Sequence, residues 1–289
     1  MQTKSIIMPP PVLTFITDQE YDLIRHLVYK RFGIHLGQSK RSLVISRLHK
    51  VLKEKNFRNF RDYYDYILTD TSGEALSTLI DQISTNHTYF YREEAHFQFM
   101  RDFVLPELLP RLEAQGQREI RIWSAGCSSG DEPFTLGIVL LDYLNHRRLG
   151  WKVAILATDI SERALSIARK GIYTRDQIAR LPRQQREKYF KPKDQNLFQV
   201  KDVLKNLVLY RRLNLMREYY PFKKKFHSIW CRNVMIYFDR QTRMDLVRKF
   251  HNYLDHDGYL FIGHSESLTN CSRLFQYVQP AVYRKMGEK

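Results

Sequence analysis

The sequence predicts an α/β protein in two parts, an N-terminal all-helical domain followed by a doubly wound, mostly parallel sheet. Three observations carry this reading. Residues 17–85 show apolar positions at helical spacing and no strand-like run. After residue 115 short apolar runs alternate with helical stretches, the pattern of strands joined by crossover helices. A glycine-bearing turn follows the first of those runs and opens a helix, where a doubly wound fold forms its ligand crevice. The expected boundaries are 1–85 for the helical domain, 86–115 for a linker and connecting helix, and 116–289 for the sheet domain.

Residues 1–14, with three prolines and one lysine, read as a loose leader and a poor signal peptide. Thr17 and Glu20 then form a capping box, Tyr21, Ile24, Leu27 and Val28 recur at helical spacing, and Gly33 is the stop. A second helix starts near Ser39 with Val44, Ile45, Leu48, Val51 and Leu52 as its buried stripe, which puts Arg47, Lys50 and Lys53 on the opposite face. Phe60, Tyr63, Tyr64, Ile67 and Leu68 mark a third helix, and Leu76, Leu79, Ile80 and Ile83 a fourth.

Strands are expected at 120–123, 153–157, 207–210, 228–231 and 259–262, with a closing strand or hairpin from Phe275 to Arg284. Helices fall between them, one through Leu136, Val139, Leu140 and Leu144, another capped by Ser161.

Bulk properties narrow the class. At 289 residues and 43% hydrophobic the chain can bury a core, and it holds no run of eighteen apolar residues to span a membrane. Three scattered cysteines, Cys127, Cys231 and Cys271, fit neither a disulfide framework nor a zinc site and suit a reducing cytoplasm. The formal net charge of +16 calls for an acidic partner. Residues 161–225 hold 18 Lys+Arg against 6 Asp+Glu, whereas residues 1–85 hold 12 against 9, so most of the excess sits in one internal stretch.

Five motifs carry the chemistry. The turn Ser124-Ala125-Gly126-Cys127-Ser128-Ser129-Gly130-Asp131-Glu132-Pro133 lacks both the dinucleotide G-x-G-x-x-G and the P-loop Lys-Ser/Thr. Its two acids would repel a pyrophosphate but could hold a cation, such as a sulfonium ligand with a free amino group. Asp159 ends the next strand, where an acid can accept hydrogen bonds from two ribose hydroxyls, or can cap the following helix. Asn214-Leu215 could read and cover an adenine ring, or be an ordinary turn. Cys231-Arg232-Asn233-Val234-Met235-Ile236-Tyr237-Phe238 follows another strand into the crevice, with Arg232 open to reading as a plain surface charge. Asn86-His87-Thr88-Tyr89-Phe90-Tyr91-Arg92 looks like a lid or substrate edge, with an aromatic packing seam as the alternative.

These motifs, in this order and with D-G-Y-L-F-I-G-H-S-E-S near the end, resemble the chemotaxis receptor methyltransferase (CheR) family over about residues 17–285. The resemblance implies a Rossmann-like methyltransferase sheet with a small antiparallel subdomain inserted. It implies a protein-glutamate O-methyltransferase that uses S-adenosylmethionine, yields S-adenosylhomocysteine and needs no metal. Cofactor contacts would fall on Asn86, Thr88, Arg92, Gly126, Glu132, Asp159, Asn214, Leu215, Asn233 and Val234, with Arg92 and Tyr237 facing the transferred methyl. The partner would be the glutamate-bearing helical bundle of a chemotaxis receptor, docked by Arg47, Lys50 and Lys53 and by the basic segment 161–225. A cytoplasmic monomer that binds no nucleic acid and does not insert into a membrane is the expectation. Family members that clasp the receptor's C-terminal tail carry a glycine-bearing loop in the subdomain. Here residues 189–198 contain no glycine, which predicts a tail-independent enzyme, with Asn196 or Asp194 as the residue able to take positive φ. Two rivals remain: a nucleic-acid methyltransferase, which the charge would suit, and a cofactor-binding sensor that does not transfer.

Overall fold

The computed structural model describes residues 15–84, 86–145, 150–268 and 273–287. The leader read over residues 1–14 and Cys271 lie outside the described residues. The chain forms two compact units, Met1–Ser84 and Thr85–Lys289.

The first unit consists of helices α1 (Asp18–Phe32), α2 (Arg41–Glu54), α3 (Phe60–Thr69) and α4 (Glu74–Ile83). Local chemistry sets their ends. The Thr17 hydroxyl accepts from the Glu20 amide at 3.2 Å, and the Glu20 carboxylate accepts from the Thr17 amide at 2.8 Å. Gly33 stops α1 in the left-handed region at φ 69°. Tyr21, Ile24, Val28, Val44, Leu48, Phe60, Tyr63, Leu79 and Ile80 are buried in the unit's core. Arg47, expected on the open face of α2, is instead half-buried, and its guanidinium donates to the carbonyls of Gln82 (3.1 Å), Ile83 (2.8 Å) and Ser84 (3.2 Å). Those carbonyls lie at the end of α4, where a helix lacks internal donors, so the cation closes that end. Lys50 and Lys53 remain exposed.

The second unit begins with α5 (Ala95–Phe99), a wide π-type turn over Met100–Val104 and α6 (Leu105–Ala114). Their Phe97, Met100, Leu105, Leu108 and Leu112 pack in one core cluster with Ile120, Ile122, Trp230 and Phe261 of the sheet. Residues 86–115 fall within the unit Thr85–Lys289.

Then follow β1 (Glu119–Ala125), α7 (Asp131–Leu144), β2 (Lys152–Asp159), α8 (Glu162–Lys170), β3 (Ile172–Thr174), α9 (Arg175–Ile178), α10 (Arg183–Tyr189), β4 (Phe190–Pro192), β5 (Leu197–Val200), α11 (Asp202–Lys205) and β6 (Val208–Arg212). The chain continues through β7 (Phe226–Cys231), α12 (Arg240–Tyr253), β8 (Leu254–Ile262), β9 (Phe275–Gln279) and β10 (Val282–Lys285). The main sheet runs β6-β2-β1-β7-β8-β10-β9. Its first five strands are mutually parallel, and β10 is antiparallel to both neighbours. In register, Ser124 faces Ala157 on one side and Trp230 on the other. The carboxyl ends of β1, β2 and β7 thus finish side by side, and the turns that follow them meet there.

The inserted subdomain is a three-stranded antiparallel sheet, β3-β5-β4. In the β4–β5 connection neither Asp194 nor Asn196 takes a positive φ. The Asp194 carboxylate instead accepts from the amides of Asn196 (3.0 Å) and Leu197 (2.9 Å), a side-chain substitute for a glycine turn. Among the described residues no helix is long and apolar enough to cross a membrane.

Candidate functional site

The crevice is built where the β1 and β7 turns touch. Gly126 sits at φ +91°, and a Cβ there would stand 2.3 Å from Val234 Cγ2. Only glycine permits both the backbone angle and that approach. Gly130, at φ +94°, opens α7, and a Cβ there would stand 3.0 Å from both the Tyr173 and the Tyr210 hydroxyls. Ser128 between them is also in the left-handed region, at φ 49°.

The acids of this turn are held inside. Glu132 accepts from the Ser124 hydroxyl at 2.7 Å and from Arg232 Nη1 at 3.0 Å. Burial raises its pKa against the opposing pull of Arg232. Asp131 is buried and pushed up by that burial, with the Ser129 hydroxyl donating to it at 2.8 Å. Asp159, at the end of β2, accepts from the Ser128 amide at 2.8 Å and the Ser161 amide at 2.9 Å. These two amide bonds, one on each oxygen, aim the carboxylate. The helix-capping role falls to Ser161, whose hydroxyl accepts from Ala164 at 3.0 Å.

Beyond β6, Asn214 accepts from the Met216 amide at 2.9 Å, a tight polar turn, and Leu215 is buried. Beyond β7, Asn233 takes φ 59°. Its side-chain amide donates to Glu93 at 3.2 Å, and its backbone amide donates to Glu266 at 3.0 Å. Val234 and Tyr237 are half-buried on the same turn. Asn86 and Thr88 lie half-buried in the irregular stretch leading to Phe90, and Arg92 donates to the His87 carbonyl within that stretch.

Arg232 is no surface charge. Its side chain is 2% exposed, and it pairs with Glu93 and Glu132 at 3.0 Å each and donates to the Arg92 carbonyl. One guanidinium thereby ties the 86–93 stretch to the start of α7. Burial pushes Glu93 up, but Arg232 and the Asn233 amide outweigh it and hold the carboxyl below its ordinary value. Glu93, Arg232 and Glu266 received no role from sequence, since each works through partners distant in the chain. The available signal for Glu266 was its place just past β8 in the string Gly263-His264-Ser265-Glu266-Ser267.

Glu93, His96 and His264 bring possible metal ligands within 4.8 Å of one another. The Arg232 guanidinium already occupies Glu93 there and opposes a cation. The chemistry of the whole set suits an organic cation bearing hydroxyls: buried carboxylates at the crevice, amide-aimed Asp159 at its floor, and no phosphate-binding lysine in the glycine turn.

Comparison with known proteins agrees with this geometry. Residues 86–284 match the family described as CheR methyltransferase, SAM binding domain, and residues 19–84 match CheR methyltransferase, all-alpha domain. The chain is 48% identical over 270 residues to the chemotaxis protein methyltransferase of Borreliella burgdorferi, covering 93% of this chain and 95% of that protein. It is 37% identical over 262 residues to a probable chemotaxis protein methyltransferase of Rhizobium etli (89% and 96% covered). With that of Escherichia coli the identity is 34% over 271 residues (93% and 91% covered). From the helical unit through the acid-lined crevice to the sheet's last strand, this chain belongs to the CheR family of S-adenosylmethionine-dependent chemotaxis protein methyltransferases.

Proposed function

We propose that the protein methylates glutamate side-chain carboxylates on the helical bundle of a chemotaxis receptor. The observation that supports this most is the convergence of Glu132, Asp159 and the 232–237 turn at the ends of β1, β2 and β7. In this reading Asp159 holds the ribose, Asn214 and Leu215 the adenine, and Asn86, Thr88, Gly126, Glu132, Asn233 and Val234 the rest of the cofactor. When bound, S-adenosylmethionine supplies an electrophilic methyl on a sulfonium. The attacking carboxylate is ionised at neutral pH, so no general base is required. Held there, the cofactor would give its methyl to that carboxylate, with a methyl ester and S-adenosylhomocysteine as the products. What the chain must do is align three atoms and exclude water. Arg92 fixes a carboxylate, and the Tyr237 hydroxyl donates a hydrogen bond that orients the incoming glutamate.

Incubation with receptor and methyl-labelled cofactor tests this. Label should appear in base-labile carboxyl esters of the receptor. Label in nucleic acid, or binding without transfer, would overturn the reading.

A further inference from the structure

The turn that carries Asn233, Val234 and Tyr237 is held from beneath by one buried carboxylate. Glu266 is 7% exposed. Its Oε2 accepts from the amides of Asn233 (3.0 Å) and Gly263 (2.5 Å), and its Oε1 accepts from the amide of Ile236 (3.1 Å). Its own amide donates to the Gly263 carbonyl at 2.9 Å, which closes the loop after β8 upon itself. The two loops touch at backbone level: a Cβ on Gly263 would lie 2.8 Å from the Asn233 nitrogen. Asn233 is in the left-handed region, which an Asn side chain tolerates, and the two loops hold it there through its backbone amide. A second carboxylate, Glu93, grips the same turn from the other side through Arg232 and Asn233 Nδ2 and accepts from the His264 amide at 3.3 Å.

We propose that Glu266 is a positioning residue for methyl transfer: by gathering the amides of Asn233, Ile236 and Gly263 it fixes the turn that presents Tyr237. The inference rests on the role given to Tyr237 above. A carboxylate suits this task because both of its oxygens accept and neither donates. In Glu266→Gln one arm becomes an NH2 group that faces amide donors. Either the Asn233–Gly263 pair or Ile236 must then be released, and the turn loosens while volume and fold are kept.

A double-variant cycle on turnover at saturating cofactor reads this out. The parent, E266Q, Y237F and E266Q/Y237F are compared, with thermal melting of each. In the parent background E266Q should lower kcat tenfold or more. In the Y237F background, where the hydroxyl to be positioned is gone, the same change should cost less than threefold. Equal factors in both backgrounds, or a folded E266Q with kcat within twofold of the parent, would overturn the proposal. Y237F at the parental rate would sink the Tyr237 reading itself, and this inference with it. Where E266Q fails to fold, Glu266→Asp goes through the same cycle, since it keeps the charge but draws it back by one methylene.

Discussion

At the scale of single residues, the site is a set of carboxylates whose surroundings were decided before any ligand arrives. Asp159 is aimed by two amides, so Asp159→Ala should weaken cofactor affinity by about 1–3 kcal/mol, as expected for a lost charged hydrogen-bond partner. Calorimetry checks this, and unchanged affinity would remove Asp159 from the site. A second residue gives stability a pH dependence. His96 is fully buried, edge-on to Trp230 and Phe261, and burial pushes its pKa down to about 3 from 6.5. Between those values the unfolded chain takes up a proton that the folded chain refuses. Stability is therefore complete above pH 6.5 and falls with acid, by at most about 1.4 kcal/mol per pH unit from this group. The Glu119 carboxyl is held at about 2, first by its hydrogen bond with Lys224, and the Asp255 carboxyl at about 2, first by its hydrogen bond with His227, so their contribution is lost only as pH falls from their ordinary values of 4.5 and 3.8 toward 2. Denaturant titration at pH 6.5 and pH 5 should show the parent losing stability and His96→Phe losing less; equal losses would acquit His96.

At the scale of elements, what sequence revealed and what it hid divide by distance along the chain. The Thr17–Glu20 box, the Gly33 stop and the Ser161 cap join residues within a few positions, and all three are present. The crevice was legible for a related reason, because a turn after a parallel strand points to the ligand end of the sheet. Arg47 was assigned to an exposed stripe from its helical phase alone, since α2's periodicity says nothing about the open carbonyls of α4. Arg232 and Glu266 were opaque in the same way: their partners come from other turns, and only the assembled sheet brings them together. These differences separate two roles within α2. Arg47→Ala should lower the melting temperature of the helical unit through loss of its bonds to Gln82, Ile83 and Ser84. Lys50→Ala with Lys53→Ala should leave melting unchanged and weaken receptor methylation if that face docks. The β4–β5 connection carries its own expectation. Its turn is closed by Asp194 without glycine, and Pro192 removes a backbone donor at the edge of the small sheet. Removing the receptor's last several residues should leave its methylation rate nearly unchanged, and micromolar binding of the isolated tail peptide would contradict this.

At the scale of the whole molecule, a net charge of +16, most of it carried by the 18 Lys+Arg against 6 Asp+Glu of residues 161–225, creates a field that reaches an acidic bundle before contact. The apparent affinity for receptor should therefore fall as salt rises through the screening range, while cofactor affinity, set by buried groups, changes little. Salt-independent receptor affinity would argue that the basic stretch has no part in docking. The sheet's strand order has a consequence of another kind. β10 is the last of the strands in sequence, yet it lies inside the sheet, between β8 and β9. As the chain leaves the ribosome, the outer edge of β8, with its buried Leu260, Phe261 and Ile262, waits without a partner until Val282–Lys285 has been made. For that interval the nascent protein carries an open, sticky border of the sort that chaperones shield. A message that stops early in this region would yield a chain in which that border never closes, fit for degradation rather than signalling.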